Sequence, residues 1–225
     1  MMTKAAKQYF DLTGRSALIT GATRGIGFGL AAGLAQAGAK IILNGRNPEK
    51  LAEATDRLRL QDVSAQTLCF DVRDQPAVQK AINNYESADG PIDILINNAG
   101  IQHRQSLEDF ASDKFQDVMN TNATALFYLG QAVTRHMKQR GQGKIINIAS
   151  IMTKMARHHV GAYVTAKAAV GGLTRAMTAE WAAYGINCNA IGPGYISTEL
   201  TEPLFEDKAF GEWLIAQTPA GRWGQ

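Results

Sequence analysis

Six short apolar runs, each followed by a stretch with helical spacing, recur from one end of this chain to the other, and that alternation constrains its fold more than any single residue. The runs lie at 16–21 ("SALITG"), 40–45 ("KIILNG"), 66–72 ("QTLCFDV"), 92–98 ("IDILINN"), 144–150 ("KIINIAS") and 186–192 ("INCNAIG"). They are apolar throughout rather than alternating, which implies burial on both faces and hence a parallel sheet clothed by helices. Helices are expected over 27–39, 47–60, 75–86, 112–139 and 162–184. Gly38 is placed to end the first, and Asn47 followed by Pro48 to start the second. The expected fold is a doubly wound α/β sheet of Rossmann type. No linker, repeat or low-complexity segment divides the 225 residues, so one domain over 1–225 is expected.

Composition excludes several classes. A net charge of +3, with no run of like charges, offers no footprint for nucleic acid. No apolar stretch reaches the length of a membrane span, and "MMTKAAKQYFDLTG" has no leader-like apolar region. Cys69 and Cys188 stand far apart and read as buried free thiols of a reducing, cytoplasmic setting. His158 and His159 lack metal-ligand spacing and read as surface residues, and no metal site is expected.

Between the first strand and the first helix lies "TGATRGIG". Gly21 permits a tight turn, Gly25 lets backbone approach a phosphate, and Gly27 allows helix to pack closely on sheet. A pyrophosphate would rest against the helix N-terminus, whose N–H groups need acceptors. Where an NAD-binding strand commonly ends in an acid, this chain has Gly45 followed by Arg46, and Arg24 sits in the glycine turn. Two guanidiniums near the adenosine ribose suit a 2′-phosphate, so NADP is favoured over NAD. Asp71 follows the third strand, placed to reach the adenine.

The stretch "GAYVTAKAAV" puts Tyr163 and Lys167 one helical turn apart, on one face of an otherwise small-residue helix. Alone that pair is weak. Taken in order, however, "TGATRGIG", Asp71–Val72, "NNAG" (97–100), Ser150, "YVTAK" and "GPG" (192–194) resemble the short-chain dehydrogenase/reductase family over essentially the whole chain. The resemblance implies Tyr163 as general acid/base, Lys167 as its activator and ribose ligand, Ser150 as holder of the substrate oxygen, and Asn122 in a proton relay, with Asn120 its rival. A cation beside Tyr163 is expected to lower the phenol's pKa. Cofactor contacts are expected from Gly21, Thr23, Arg24, Gly25, Ile26, Gly27, Arg46, Asp71, Val72, Asn98, Ala99, Gly100, Tyr163, Lys167, Pro193, Gly194, Ile196 and Thr198.

Within the family, "NNAGIQHR", "GQAVTRHM", "GPGYISTE" and "TPAGRWG" resemble the branch that interconverts D-gluconate and 5-dehydrogluconate. The resemblance implies a sugar-acid substrate contacted by Arg104, Ser150, Tyr163 and Tyr195, with Arg104 as partner of the carboxylate and Gln102 and His103 as weaker candidates for hydroxyl contacts. The stretch "IMTKMARHH" departs from that branch, making the wall at Met152, Thr153 and Lys154 more apolar, with Lys154 as a second possible carboxylate partner. A 3-oxoacyl thioester or other carbonyl reductase is the alternative, and a non-catalytic NADP-binding protein the third reading. Residues 195–220, carrying Leu204, Phe205, Phe210, Trp213 and Leu214, are expected to form a lid. Family members continue past the position of Gln225 with a further helix and strand, so a longer working protein is expected, assembled as a homotetramer or homodimer through the helices over 112–139 and 162–184.

Overall fold

The computed structural model describes residues 10–199 and 201–225, so most of the N-terminal segment read for a leader (1–9) and the side chain of Phe205 lie outside it. Six parallel strands form one sheet in the order β3-β2-β1-β4-β5-β6. They are β1 (Ser16–Ile19), β2 (Lys40–Gly45), β3 (Ala65–Cys69), β4 (Ile94–Asn97), β5 (Gly143–Ile148) and β6 (Ile186–Ile191). Strand order reverses between β1 and β4, which pair with Leu18 beside Leu95. A crevice at the carboxyl ends of the strands opens at such a reversal.

Alternate residues of the central strands feed two separate cores. Ala17 and Ile19 of β1, Ile41 and Leu43 of β2, and Ile94 and Ile96 of β4 pack against α1 (Gly25–Gln36) and α2 (Pro48–Arg59) through Phe28, Ala31, Leu51 and Leu58. Leu18, Ile42, Leu95 and Ile145 face the other way. They meet α3 (Gln75–Ala88), α5 (Ala125–Arg140) and α6 (Gly161–Trp181) through Val78, Ile82, Leu129, Met137 and Met177. Truncating a fully buried residue such as Leu95 to Ala in a two-sided core of this kind costs about 2–5 kcal/mol.

The helices start as the sequence dictates. Asn47 Oδ1 accepts from Lys50 N at 2.9 Å and Asp74 Oδ1 from Ala77 N at 3.0 Å, capping α2 and α3. Three expectations need correction. The single helix over 112–139 is broken: α4 (Ser112–Met119) runs into a π-turn at Asn120–Thr124 before α5 begins, because Asn122 is drawn inward to the loop after β4 (below). Strands apolar throughout hold only for the centre of the sheet. On β3 Gln66, Thr67 and Cys69 are exposed, and on β6 Asn187, Asn189, Ala190 and Ile191 are, because an edge strand has a neighbour on one side only. Cys69 is therefore exposed while Cys188 is buried. The segment expected as a lid forms two short helices, α7 (Glu202–Phe205) and α8 (Lys208–Gln217), with Leu214 buried and Trp213 exposed. Among the described residues no helix is long and apolar enough to cross a membrane.

Candidate active site

The crevice begins at the glycine turn. Gly21 has φ of +61°, and a Cβ there would stand 2.8 Å from Ala99 Cα; one on Gly27 would stand 2.5 Å from Asn98 Nδ2 and 2.7 Å from the Gly21 carbonyl. Both positions admit only hydrogen. The start of α1 has no side-chain cap and no acid in its first turn, unlike α2, so its N–H groups remain available for an anion. Asn98 Nδ2 donates to the carbonyls of Thr20 (2.9 Å) and Gly21 (3.1 Å), while Thr20 Oγ1 accepts from Asn98 N (3.0 Å) and Ala99 N (3.1 Å).

Arg24 and Arg46 are exposed at the crevice rim, and among the described residues neither forms an ion pair. A Cβ on Gly45 would stand 3.0 Å from Thr23 Cγ2 and 3.3 Å from Leu51 Cγ, which leaves little room for an acid at this strand end. Asp71 lines the same crevice, but its carboxylate is engaged by Arg73, at 2.7 Å from Nη2. Those hydrogen bonds first, and the nearby Arg46 charge last, hold the Asp71 carboxyl below its ordinary range. The rim, the uncapped helix end and the glycine cradle fit a dinucleotide carrying an additional phosphate.

At the far end of the crevice, β5 delivers Ser150 and α6 delivers Tyr163 and Lys167. Ser150 Oγ accepts from Met152 N at 3.1 Å, which fixes the hydroxyl and leaves its proton to be donated elsewhere. Lys167 is buried, its Nζ donating to the Ile148 carbonyl at 2.5 Å and lying 5.6 Å from the centre of the Tyr163 ring. Burial lowers the Lys167 pKa to about 8. The expected depression of Tyr163 is not what this geometry gives. Burial pushes the phenol up, the Ser150 hydroxyl opposes it, and Tyr195 adds to the rise. Desolvation of a phenolate outweighs the neighbouring donors here.

Asn122, not Asn120, points inward. Its Oδ1 accepts from Ile101 N at 2.8 Å and its Nδ2 donates to Ile101 O at 2.9 Å, whereas Asn120 Oδ1 accepts from Gln116 on the outer side. Every residue expected to touch the cofactor lines this one crevice together with Ser150. Arg104 and Tyr195 lie beyond it, Tyr195 within electrostatic reach of Tyr163 and Arg104. His103 Nε2 faces Gln105 Oε1 at 3.3 Å and its ring packs edge-on against Phe110. In the altered stretch, Thr153 Oγ1 donates to the Lys167 carbonyl at 3.2 Å, Met152 is buried and Lys154 is exposed; like Arg104 and Tyr195, all three stand outside the nucleotide crevice. Arg73, Thr121 and Glu199 line it without having been anticipated. Only the pairing of Arg73 with Asp71, two residues away, carried a local signal.

A parallel sheet with its crevice at the strand-order reversal, a glycine cradle, and a Ser–Tyr–Lys group at one end define a nucleotide-dependent oxidoreductase. Residues 15–209 match the short chain dehydrogenase family model, and the chain belongs to the short-chain dehydrogenase/reductase family. It is 50% identical over 216 residues to gluconate 5-dehydrogenase of Gluconobacter oxydans, covering 96% of this chain and 84% of that one. It is 44% identical over 215 residues to 5-keto-D-gluconate 5-reductase of Escherichia coli K12, covering 96% and 85%. The solved structure of a gluconate 5-dehydrogenase from Burkholderia cenocepacia, in complex with NADP and tartrate, superposes with a TM-score of 0.95 at 49% identity, covering 98% of this chain and 86% of that one.

Proposed function

We propose that this protein interconverts D-gluconate and 5-dehydro-D-gluconate with NADP. The observation that carries the reading is the gathering of Ser150, Tyr163 and Lys167 at one end of a crevice whose other end holds the glycine cradle and the exposed Arg24 and Arg46. Relatives at 50% and 44% identity are named for the two directions of this reaction, and the Burkholderia structure holds NADP together with a small hydroxy acid.

Bound NADP supplies the acceptor of the two electrons leaving the carbinol carbon. Ser150 donates to the substrate oxygen and holds it beside Tyr163 Oη. Tyr163 takes the hydroxyl proton in oxidation and returns it to the ketone oxygen in reduction. Lys167 orients the ribose and opposes the desolvation of the phenolate with its charge. Asn122 acts by setting the loop at Ile101. Arg24 and Arg46 bind the 2′-phosphate, with Asp71 and Val72 beside the adenine. Arg104 and Tyr195 contact the substrate, and residues 195–220 close over it, excluding water. We also assign the protein to the cytoplasm, on its two free thiols, and to a homodimer or homotetramer pairing through the helices over 112–139 and 162–184, on the exposure of Phe127 in α5 and of Tyr184 in the 3-10 turn that follows α6; light scattering reads the latter.

The experiment is reduction of NADP by the purified protein with D-gluconate, followed by nicotinamide absorbance, with NAD in parallel. Turnover with NADP and little with NAD supports the reading. Binding of NADP without turnover of D-gluconate overturns the substrate assignment.

A further inference from the structure

Among the described residues, two like charges on adjoining loops lack a counter-ion. Arg104 stands in the loop after β4 and Arg157 in the loop before α6, and among the described residues no carboxylate pairs with either. Partial burial, and after it the Arg157 charge, hold the Arg104 guanidinium below its ordinary basicity. Arg157 is half-buried, and its Nε is shielded from solvent with no hydrogen-bond partner among the described residues. Its guanidinium carbon lies 4.7 Å from the centre of the Phe210 ring and 5.9 Å from that of Tyr195, rings that meet edge-on at 5.6 Å. Arginine over aromatic faces is held in place without its donors being consumed. The loops that carry them are joined by a bridge between Gln105 and Val160 and by Gln105 N donating to the His159 carbonyl at 3.1 Å; the exposed Arg104 and the half-buried Arg157 repel each other there, and an anion between them relieves the repulsion.

We propose that Arg157, jointly with Arg104, clamps the substrate carboxylate, and that Arg157 thereby selects polyhydroxy acids over neutral polyols. The proposal rests on the reading of the preceding subsection and assigns a second anion-binding residue to that site. Tyr195 lies within electrostatic reach of both Arg104 and Tyr163, so the clamp is one aromatic residue removed from the reacting phenol. That favours acids whose reacting carbon is several bonds from the carboxylate.

The test compares D-gluconate with its neutral isostere D-gluconamide, using the full chain with NADP. In the unsubstituted protein KM for the amide exceeds KM for the acid. Arg157→Gln is expected to shrink that ratio about ten-fold or more, the factor that follows from losing one charge-assisted bond, with kcat little changed and Arg157→Lys restoring part of it. Parallel loss on both substrates, or loss confined to kcat, overturns the clamp in favour of a packing role. If neither substrate is turned over, the proposed function fails by itself. The clamp is then decided by quenching of tryptophan fluorescence by D-gluconate. Quenching that Arg157→Gln weakens and Arg157→Lys retains supports it, and quenching equal in all three proteins, or none, overturns it.

Discussion

Asn122 holds Ile101 by both ends of its amide, accepting from the backbone N–H at 2.8 Å and donating to the carbonyl at 2.9 Å. The side chain is buried, and where it reaches across to the loop after β4 the chain widens into a π-turn at Asn120–Thr124. Such turns cost helical hydrogen bonding and persist where a tertiary contact offsets them. Asn122→Ala leaves two backbone groups unpaired and is expected to lower stability by about 2–3 kcal/mol in urea denaturation, with loss of turnover. Asn120→Ala, two residues away, should stay within about 0.5 kcal/mol. Equal effects would sink the distinction between the two asparagines.

Tyr163→Phe keeps the ring and removes the exchangeable proton. Turnover should fall by about 10²–10⁴-fold while NADP binding, followed by nicotinamide fluorescence, changes little. With the phenol held high by burial, oxidation should rise as pH climbs through the neutral range and beyond, and reduction should run the other way. An oxidation rate flat from neutral to alkaline pH would contradict Tyr163 as the base.

Lys167 is held neutral more readily in the folded chain than in the unfolded one, at about 8 against an ordinary 10.5. The unfolded state therefore binds more protons between these values, so stability rises with pH across that window, and the burial cost is fully present below it. Lys167→Met removes the cost and should stabilise the protein at neutral pH by up to about 3 kcal/mol, less whatever the bond to the Ile148 carbonyl contributes. The gain should fade above about pH 10 as the native lysine is neutral in both states. Thermal unfolding at neutral and alkaline pH reads this directly, and a gain independent of pH would refute it. Activity should be lost in the same variant.

Replacing Arg24 and Arg46 singly by Ala should each weaken NADP by about 10–100-fold, the range for one charge-assisted bond to phosphate, and leave NAD nearly unchanged. Isothermal titration with both nucleotides decides it. Equal losses with NAD would assign these guanidiniums to the pyrophosphate instead.

The sheet and its glycine turn were legible because their signals are local: apolar runs of strand length, the cap at Asn47, and glycines whose missing side chains the neighbouring backbone demands. The break at Asn120–Thr124 was not, since what creates it is Ile101, some twenty residues upstream and on another element. Exposure of Cys69 depends on β3 lying at the sheet edge, a matter of strand order that no run of residues encodes. Tyr163 and Lys167 were readable as a pair, but the direction of the phenol's pKa came from how deeply α6 buries it. Arg157 carries no signal of its own in the sequence. What distinguishes it, a shielded Nε and a like-charged neighbour, exists only once the chain is folded.

The bonds that Asn98 and Ala99 donate to Thr20 join the ends of β1 and β4, the two strands at which the chain order reverses. They latch the halves of the sheet together directly beneath the nucleotide crevice, independently of anything bound there. A floor fastened in this way arrives at binding already ordered, so the entropic cost of capture falls on the segment beyond Pro193 and not on the sheet. Evolution can then retune that roof for a new acid, residue by residue, without disturbing the place where the nucleotide rests.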